Sequence, residues 1–337
     1  MSELFLPNIS FEVTSVCNLR CAYCYNHWKR NGTNIHLNSY KRAFKTLKHL
    51  IKNVSIKQIT FTGGEPFLGE RFTELVLYSR IKNIDVSIIT NGNAGKKEVY
   101  WDLVKMGVNL FQIPFLSLKN ETHDRLTGVK GSWENADRSI SEILKLGANV
   151  VPVVVLTKIN YDDLYDTLAT LHSKGLNRIM LNRFNIGGAG IGNADMVLNR
   201  NEVNTAFSIA NELAETNKLI ITSNVCSPIC YINPSLFPNI RFGHCSPDIT
   251  RRPITVNIDG DVRLCNHSPV VAGNIFHQTF EQIFNSEYAR QWVDEKPDYC
   301  SLCDFYNKCR GGCKAASEQA GLGLQQPDPV IGMMFGQ

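Results

Sequence analysis

No stretch of this sequence approaches eighteen consecutive apolar residues, and its start lacks the basic-then-apolar order of a signal peptide. A membrane span and secretion are therefore not expected; the reading is of a cytoplasmic protein. Excess charge is also missing. Against 31 acidic side chains stand 35 basic ones, and a net +4 is too mild to point to nucleic acid. There is no internal repeat, and no cysteine between Cys24 and Cys226. What the chain does have is eleven cysteines, an odd number that argues against a disulfide framework. They divide as Cys17, Cys21 and Cys24, then Cys226, Cys230, Cys245, Cys265, Cys300, Cys303, Cys309 and Cys313. Scattered core cysteines would not group three and eight; thiols that hold metal would. With 43% hydrophobic and 20% charged residues among 337, a sizeable core is available and wholesale disorder is excluded.

Residues 8 to about 215 alternate strand-like and amphipathic segments. The strand candidates are Ile9–Thr14, Gln58–Thr62, Val86–Thr90, Leu110–Leu116, Val150–Leu156 and Arg178–Asn182. They are short, β-branched and nearly continuous in apolar residues, as parallel strands buried on both faces are. Between them, Ala136, Ile140, Ile143 and Leu144 share one helical face, and Leu164, Leu168 and Leu171 another. Lys105–Gly107, Lys145–Gly147 and Lys174–Gly175 read as helix ends. Six strand–helix units predict an α/β fold, a partial (β/α)6 TIM-like barrel over residues 1–215, open along one side. Residues 216–337 form a second module, rich in cysteine, proline and glycine. It shows a hairpin over Ile254–Leu264 turning at Asp259-Gly260, one helix from Phe280 to Asp294, and an irregular tail after Ala320. Its apolar periodicity is too weak for an ordinary core, so metal would have to substitute.

Cys17, Cys21 and Cys24 follow the first strand as C-x3-C-x2-C, three thiols on one loop. Three ligands for a four-iron cube leave one iron open to a small molecule. Zinc is the rival, with His27 near enough to be a fourth ligand. The loop, with aromatic Tyr23 before its last cysteine, resembles the cluster loop of radical S-adenosylmethionine (SAM) enzymes. Gly63-Gly64-Glu65-Pro66, after the second strand, matches that family's GGEP motif. The resemblance implies that this turn meets the methionine amino group of SAM, glycine allowing close backbone approach and the carboxylate suiting an ammonium. Thr90-Asn91-Gly92 resembles the family's T-N-G, and Ser117 falls where a hydroxyl often meets the SAM ribose. Arg125, in His123-Asp124-Arg125-Leu126-Thr127-Gly128, resembles a further stretch loosely; each of these also reads as a turn residue or cap. The Gly187–Gly192 run fits neither phosphate fingerprint and reads as a loop at the open mouth.

Downstream, Cys245-x14-Gly260-x4-Cys265 and Cys300-x2-Cys303-x5-Cys309-x3-Cys313 together resemble the SPASM extension of radical SAM enzymes. That likeness implies two auxiliary [4Fe–4S] clusters, three clusters in all. One would use Cys245, Cys265 and Cys313 with Cys230 or Cys226; the other Cys300, Cys303 and Cys309. The family usually supplies a late cysteine after Asp-Pro, but here Asp328-Pro329 is followed by none. Three alternatives stand: Cys226 or Cys230 fills the gap; Asp328, a histidine, water or substrate binds that iron; or the spare Cys226 donates a hydrogen atom to a substrate radical.

SPASM relatives mostly modify peptides, so the resemblance implies a maturase of a ribosomally made peptide: crosslinking, epimerising, oxidising or excising. A first strand near residue 9 leaves no room for an N-terminal leader-binding domain, so either a separate recognition protein is expected to bind the leader, or none is needed. A flavodoxin or ferredoxin would be the electron donor. The alternatives are a small-molecule dehydrogenase or cofactor-biosynthetic enzyme and, remotely, a non-catalytic electron carrier or zinc-binding module.

Overall fold

The computed structural model describes residues 4–29 and 38–334. All six expected strands are present: β1 (Phe5–Thr14), β2 (Ser55–Gly63), β3 (Asp85–Ile89), β4 (Leu110–Pro114), β5 (Asn149–Leu156) and β6 (Arg178–Arg183). Each runs parallel to the next. Six consecutive residues of β1, Ile9 to Thr14, are buried, because helices cover one face and the site the other. The intervening helices are α1 (Tyr40–Asn53), α2 (Phe72–Ile81), α3 (Lys97–Lys105), α4 (Asn120–Thr127), α5 (Ser132–Lys145) and α6 (Leu164–Ser173), with α7 (Arg200–Thr216) after β6. The faces read from periodicity are the buried ones: Ala136, Ile140 and Ile143 on α5, Leu164, Leu168 and Leu171 on α6. They share one core with Phe11, Ile59, Phe61, Ile88, Phe111 and Ile113, all fully buried.

The parallel run continues past six. β7 (Ile220–Ser223) pairs with β6, and β8 (Ile240–Phe242) with β7. On its other edge β1 pairs in parallel with β9 (Thr255–Asn257), which turns back through Gly260 into β10 (Asp261–Arg263) and then β11 (Gly273–Asn274). One eleven-stranded sheet results, in the order β11-β10-β9-β1-β2-β3-β4-β5-β6-β7-β8. Its edges, β11 and β8, are not paired with each other, so the ladder stays open.

Two local expectations need correction. Phe280 to Asp294 is two helices, α8 (Phe280–Phe284) and α9 (Glu287–Asp294). The break falls at Ser286, whose side chain caps the second by accepting from the Ala289 N–H. The tail is not wholly irregular, for Val330–Met334 is helical, with Val330 and Ile331 buried.

Candidate iron–sulfur and SAM site

The cysteine loop leaves the end of β1 without regular structure and is fastened by backbone on three sides. From the turn after β2, the Gly64 N–H donates to Thr14 O (2.7 Å) and the Glu65 N–H to Val16 O (2.8 Å). Arg20 and Ala22 donate their N–H groups to Thr127 O and Leu126 O at the end of α4, both at 2.9 Å. Beyond β6, the Ala189 N–H donates to Cys24 O (2.9 Å) and Asn193 Nδ2 to Ala22 O (3.2 Å). The glycine run 187–192, expected at the mouth, is thus a 3-10 segment seated on this loop. A Cβ on Gly64 would stand 2.1 Å from Val16 O. The close approach that glycine permits here is therefore to the cysteine loop's own backbone.

Glu65 is completely buried. Its carboxylate accepts from Thr90 Oγ1 (2.7 Å), the Asn91 N–H (2.7 Å) and the Phe67 N–H (3.2 Å), and Pro66 opens the buried 3-10 turn that follows. Burial pushes its pKa up to about 7 despite those donors. Asn91 Nδ2 donates to Asn18 Oδ1 (2.8 Å) and lies 3.7 Å from Cys17 Sγ. Glu65, Thr90 and Asn91 therefore lock the ends of β2 and β3 to the cysteine loop. The Tyr23 hydroxyl is buried beside the Cys21 thiol. Ser117, fully buried, donates to Asp163 Oδ2 (3.0 Å), whose carboxylate also meets Lys119 Nζ (2.5 Å). Asp163 was not singled out in the sequence, where it is one of two adjacent aspartates. Arg125 is exposed on α4. Its neighbours are structural: His123 Nδ1 accepts from the Leu116 N–H (3.2 Å), and Asp124 accepts from Gly131, Ser132 and Trp133 at the start of α5.

Burial raises all three loop thiols, Cys24 to about 11, while Lys29 draws Cys17 and Cys24 the other way. Metal would therefore have to displace protons from these thiols. His27, proposed for zinc, instead places Nδ1 3.3 Å from Arg263 Nη1 on β10, and burial lowers its pKa to about 4. Among the described residues no three His, Cys, Asp or Glu side chains converge on one point that could hold a single ion. Zinc would gather its thiolates to within about 4 Å of each other. Three loop thiols, with His27 turned to Arg263, are the donor set of a cube with one open iron rather than of structural zinc, which takes four ligands.

The eight later cysteines occupy two neighbourhoods. Cys226 and Cys245 are in thiol–thiol contact, and that hydrogen bond, helped by Arg252 Nη1 at 3.2 Å from Cys245 Sγ, holds the Cys245 thiol below its ordinary range. Cys313 Sγ is 3.6 Å from Asn185 Nδ2. Cys300, Cys303 and Cys309 share the segment before Gly311-Gly312. Asp328 forms a fully buried ion pair with Arg183 and accepts from the Cys313 N–H (2.8 Å). Gln319 joins the two halves: its Nε2 donates to Tyr25 O (2.8 Å) and His267 O (2.6 Å), and its Oε1 accepts from the Gly188 N–H (2.7 Å). The Tyr25 and His267 rings stack at 3.8 Å. No local signal marked Gln319, Tyr25 or Asn185.

The sequence model of the radical SAM superfamily matches residues 11–171, and that of the SPASM iron–sulfur cluster-binding domain matches residues 245–310. The chain belongs to the radical SAM superfamily. It is a radical SAM enzyme with a SPASM extension, so S-adenosylmethionine and a [4Fe–4S] cluster belong to its chemistry, and residues 245–310 match an iron–sulfur cluster-binding domain. A mycofactocin maturase of Mycobacterium tuberculosis is 26% identical over 330 residues, 95% of this chain and 81% of that protein. A PqqA peptide cyclase of Granulibacter bethesdensis is 24% identical over 332 residues, covering 96% and 86%. The radical SAM fold here superposes on Streptococcus suis SuiB bound to its precursor peptide SuiA with a TM-score of 0.75 at 15% identity, covering 96% of this chain and 75% of that one. No described helix is long and apolar enough to cross a membrane.

Proposed function

We propose that this enzyme matures a ribosomally made peptide in the cytoplasm, using one SAM-binding and two auxiliary [4Fe–4S] clusters. The observation that carries the reading is a GGEP turn bonded directly to a three-cysteine loop, in a chain aligned along 95% of its length with a peptide maturase. Cys17, Cys21 and Cys24 would hold the first cluster within residues 1–215, and the cysteines of 216–337 the other two. When bound, SAM and the reduced cluster supply a 5′-deoxyadenosyl radical that abstracts hydrogen from an unactivated carbon. The chain's own contribution is placement. Asn91 faces Cys17, and the Glu65–Thr90–Asn91 lock fixes the loop that presents the open corner. Ser117 and Arg125 stay candidates for SAM contact; the first would have to exchange Asp163 for the ribose. A separate leader-recognition protein and a flavodoxin or ferredoxin donor complete the reading.

The test is anaerobic incubation with SAM, a reductant and the peptide encoded beside the gene, followed by nucleoside analysis and peptide mass. A loss of two hydrogens reports crosslinking or oxidation, deuterium uptake epimerisation, and a lost fragment excision. Cys17→Ala, Cys21→Ala or Cys24→Ala should abolish 5′-deoxyadenosine release. Turnover of a sugar or tetrapyrrole with no peptide present would replace this reading by the small-molecule one.

A further inference from the structure

We infer that Cys230 is the fourth protein ligand of the auxiliary cluster held by Cys300, Cys303 and Cys309, and that Cys226 completes the one held by Cys245, Cys265 and Cys313. The inference deepens the proposed function and rests on it. It names a residue for the position that the SPASM resemblance fills with a cysteine after Asp328-Pro329.

Gly311-Gly312 are two of the three residues between Cys309 and Cys313. With Arg310 (φ +51°) both take positive φ, +79° and +90°, so the chain turns sharply between the two cysteines. Pro228 is pressed onto this turn, since a Cβ on Gly312 would stand 2.7 Å from Pro228 Cγ. Cys226 lies two residues before that proline and Cys230 two residues after it. The segment cannot slide. Arg183 Nη2 donates to Cys226 O (2.7 Å) and its Nε to Ser227 Oγ (3.0 Å), while the Tyr231 and Ile232 N–H groups both close on Pro228 O. Tyr231 is anchored further by its hydroxyl on Leu198 O (2.6 Å).

The two thiols consequently fall into different company. Cys226 touches Cys245 and has Cys313 and Cys265 as neighbours. Cys230 has Cys309, Cys303 and Cys300 as neighbours, and a Cβ on Gly311 would stand 3.7 Å from Cys300 Sγ. Eight thiols thus sort four and four. Asp328, the other residue offered for the vacancy, is spent on Arg183 and on the Cys313 N–H. With both cubes closed by protein, neither presents an iron to substrate, and Cys226 is not a free hydrogen-atom donor.

Two measurements on the full chain, reconstituted without oxygen, test this. Iron analysis with electron paramagnetic resonance compares Cys230→Ser with the unaltered chain, expected at about 12 irons. A fall to about 8, or to about 11 with the signal of a three-iron centre, supports the assignment. In a chain that also carries Cys300→Ala, Cys303→Ala and Cys309→Ala, Cys230→Ser should remove no further iron, whereas Cys226→Ser should. The second measurement needs no variant. Cys230 is exposed, so a free thiol there would be alkylated readily by iodoacetamide; as a ligand it should label at least tenfold less before iron is removed than after. Full iron in Cys230→Ser, or equal labelling in both states, overturns the assignment and leaves the proposed function standing. About four irons in the unaltered chain would overturn both.

Discussion

Residues whose types looked catalytic often serve the scaffold, and His123 shows how to tell. It sits in a motif read as a possible SAM contact, yet it is buried and accepts a backbone N–H through Nδ1, which requires the neutral ring. Burial lowers its pKa to about 4. The unfolded chain then binds more protons between roughly pH 6.5 and 4, so stability present above that range is lost as pH falls through it. Up to about 3 kcal/mol is at stake. Urea midpoints measured across this window should show a shallower acid decline for His123→Asn, which keeps an acceptor but does not titrate. The cysteine spacing stood out because thiols meant for one cluster must be close, and on one loop closeness is written as short spacing. Gln319 and Asn185 were not legible. Their partners lie hundreds or scores of residues away, and nothing local distinguishes an amide that bridges from one that faces water.

At the scale of elements, the site is a loop gripped by three others, and the grip is backbone. Gly64→Ala puts a methyl group onto Val16 O, and overpacking of this kind costs about 1–3 kcal/mol. The variant should lose the N-terminal iron, about four of 12 atoms, and release 5′-deoxyadenosine at least tenfold more slowly, while the SPASM irons stay; iron counts and nucleoside assays check this. Loss of the SPASM irons as well would contradict so local a role. The six long strands were legible from their apolar runs. β7 and β8 were not, because strands of four and three residues, with one buried position in β8, leave no periodicity to read. The break between α8 and α9 had a sign in Ser286, but an apolar pattern spanning it masked the cap.

For the whole molecule, one tie between its halves is the buried Arg183–Asp328 pair, β6 to C-terminal tail. Removing one partner strands a charge without solvent. Asp328→Ala should therefore lower unfolding free energy by about 3–5 kcal/mol, whereas Arg183→Met with Asp328→Leu should cost far less; denaturant titration of the iron-loaded chain distinguishes them. The SPASM match at residues 245–310 falls in the cysteine-rich stretch that composition had marked out. The joining of both modules into one sheet was not legible, since β9 is three residues long and its partner lies near the opposite terminus.

That pairing has a consequence for synthesis. β1 leaves the ribosome first but finds its second neighbour only when Thr255–Asn257 emerges. Until then its far side is a bare row of amides and carbonyls, open to any other strand. A nascent or truncated chain ending before β9 would be adhesive along the very strand that delivers Cys17, which makes shielding of that edge, by a chaperone or by prompt completion, a condition for loading the first iron centre.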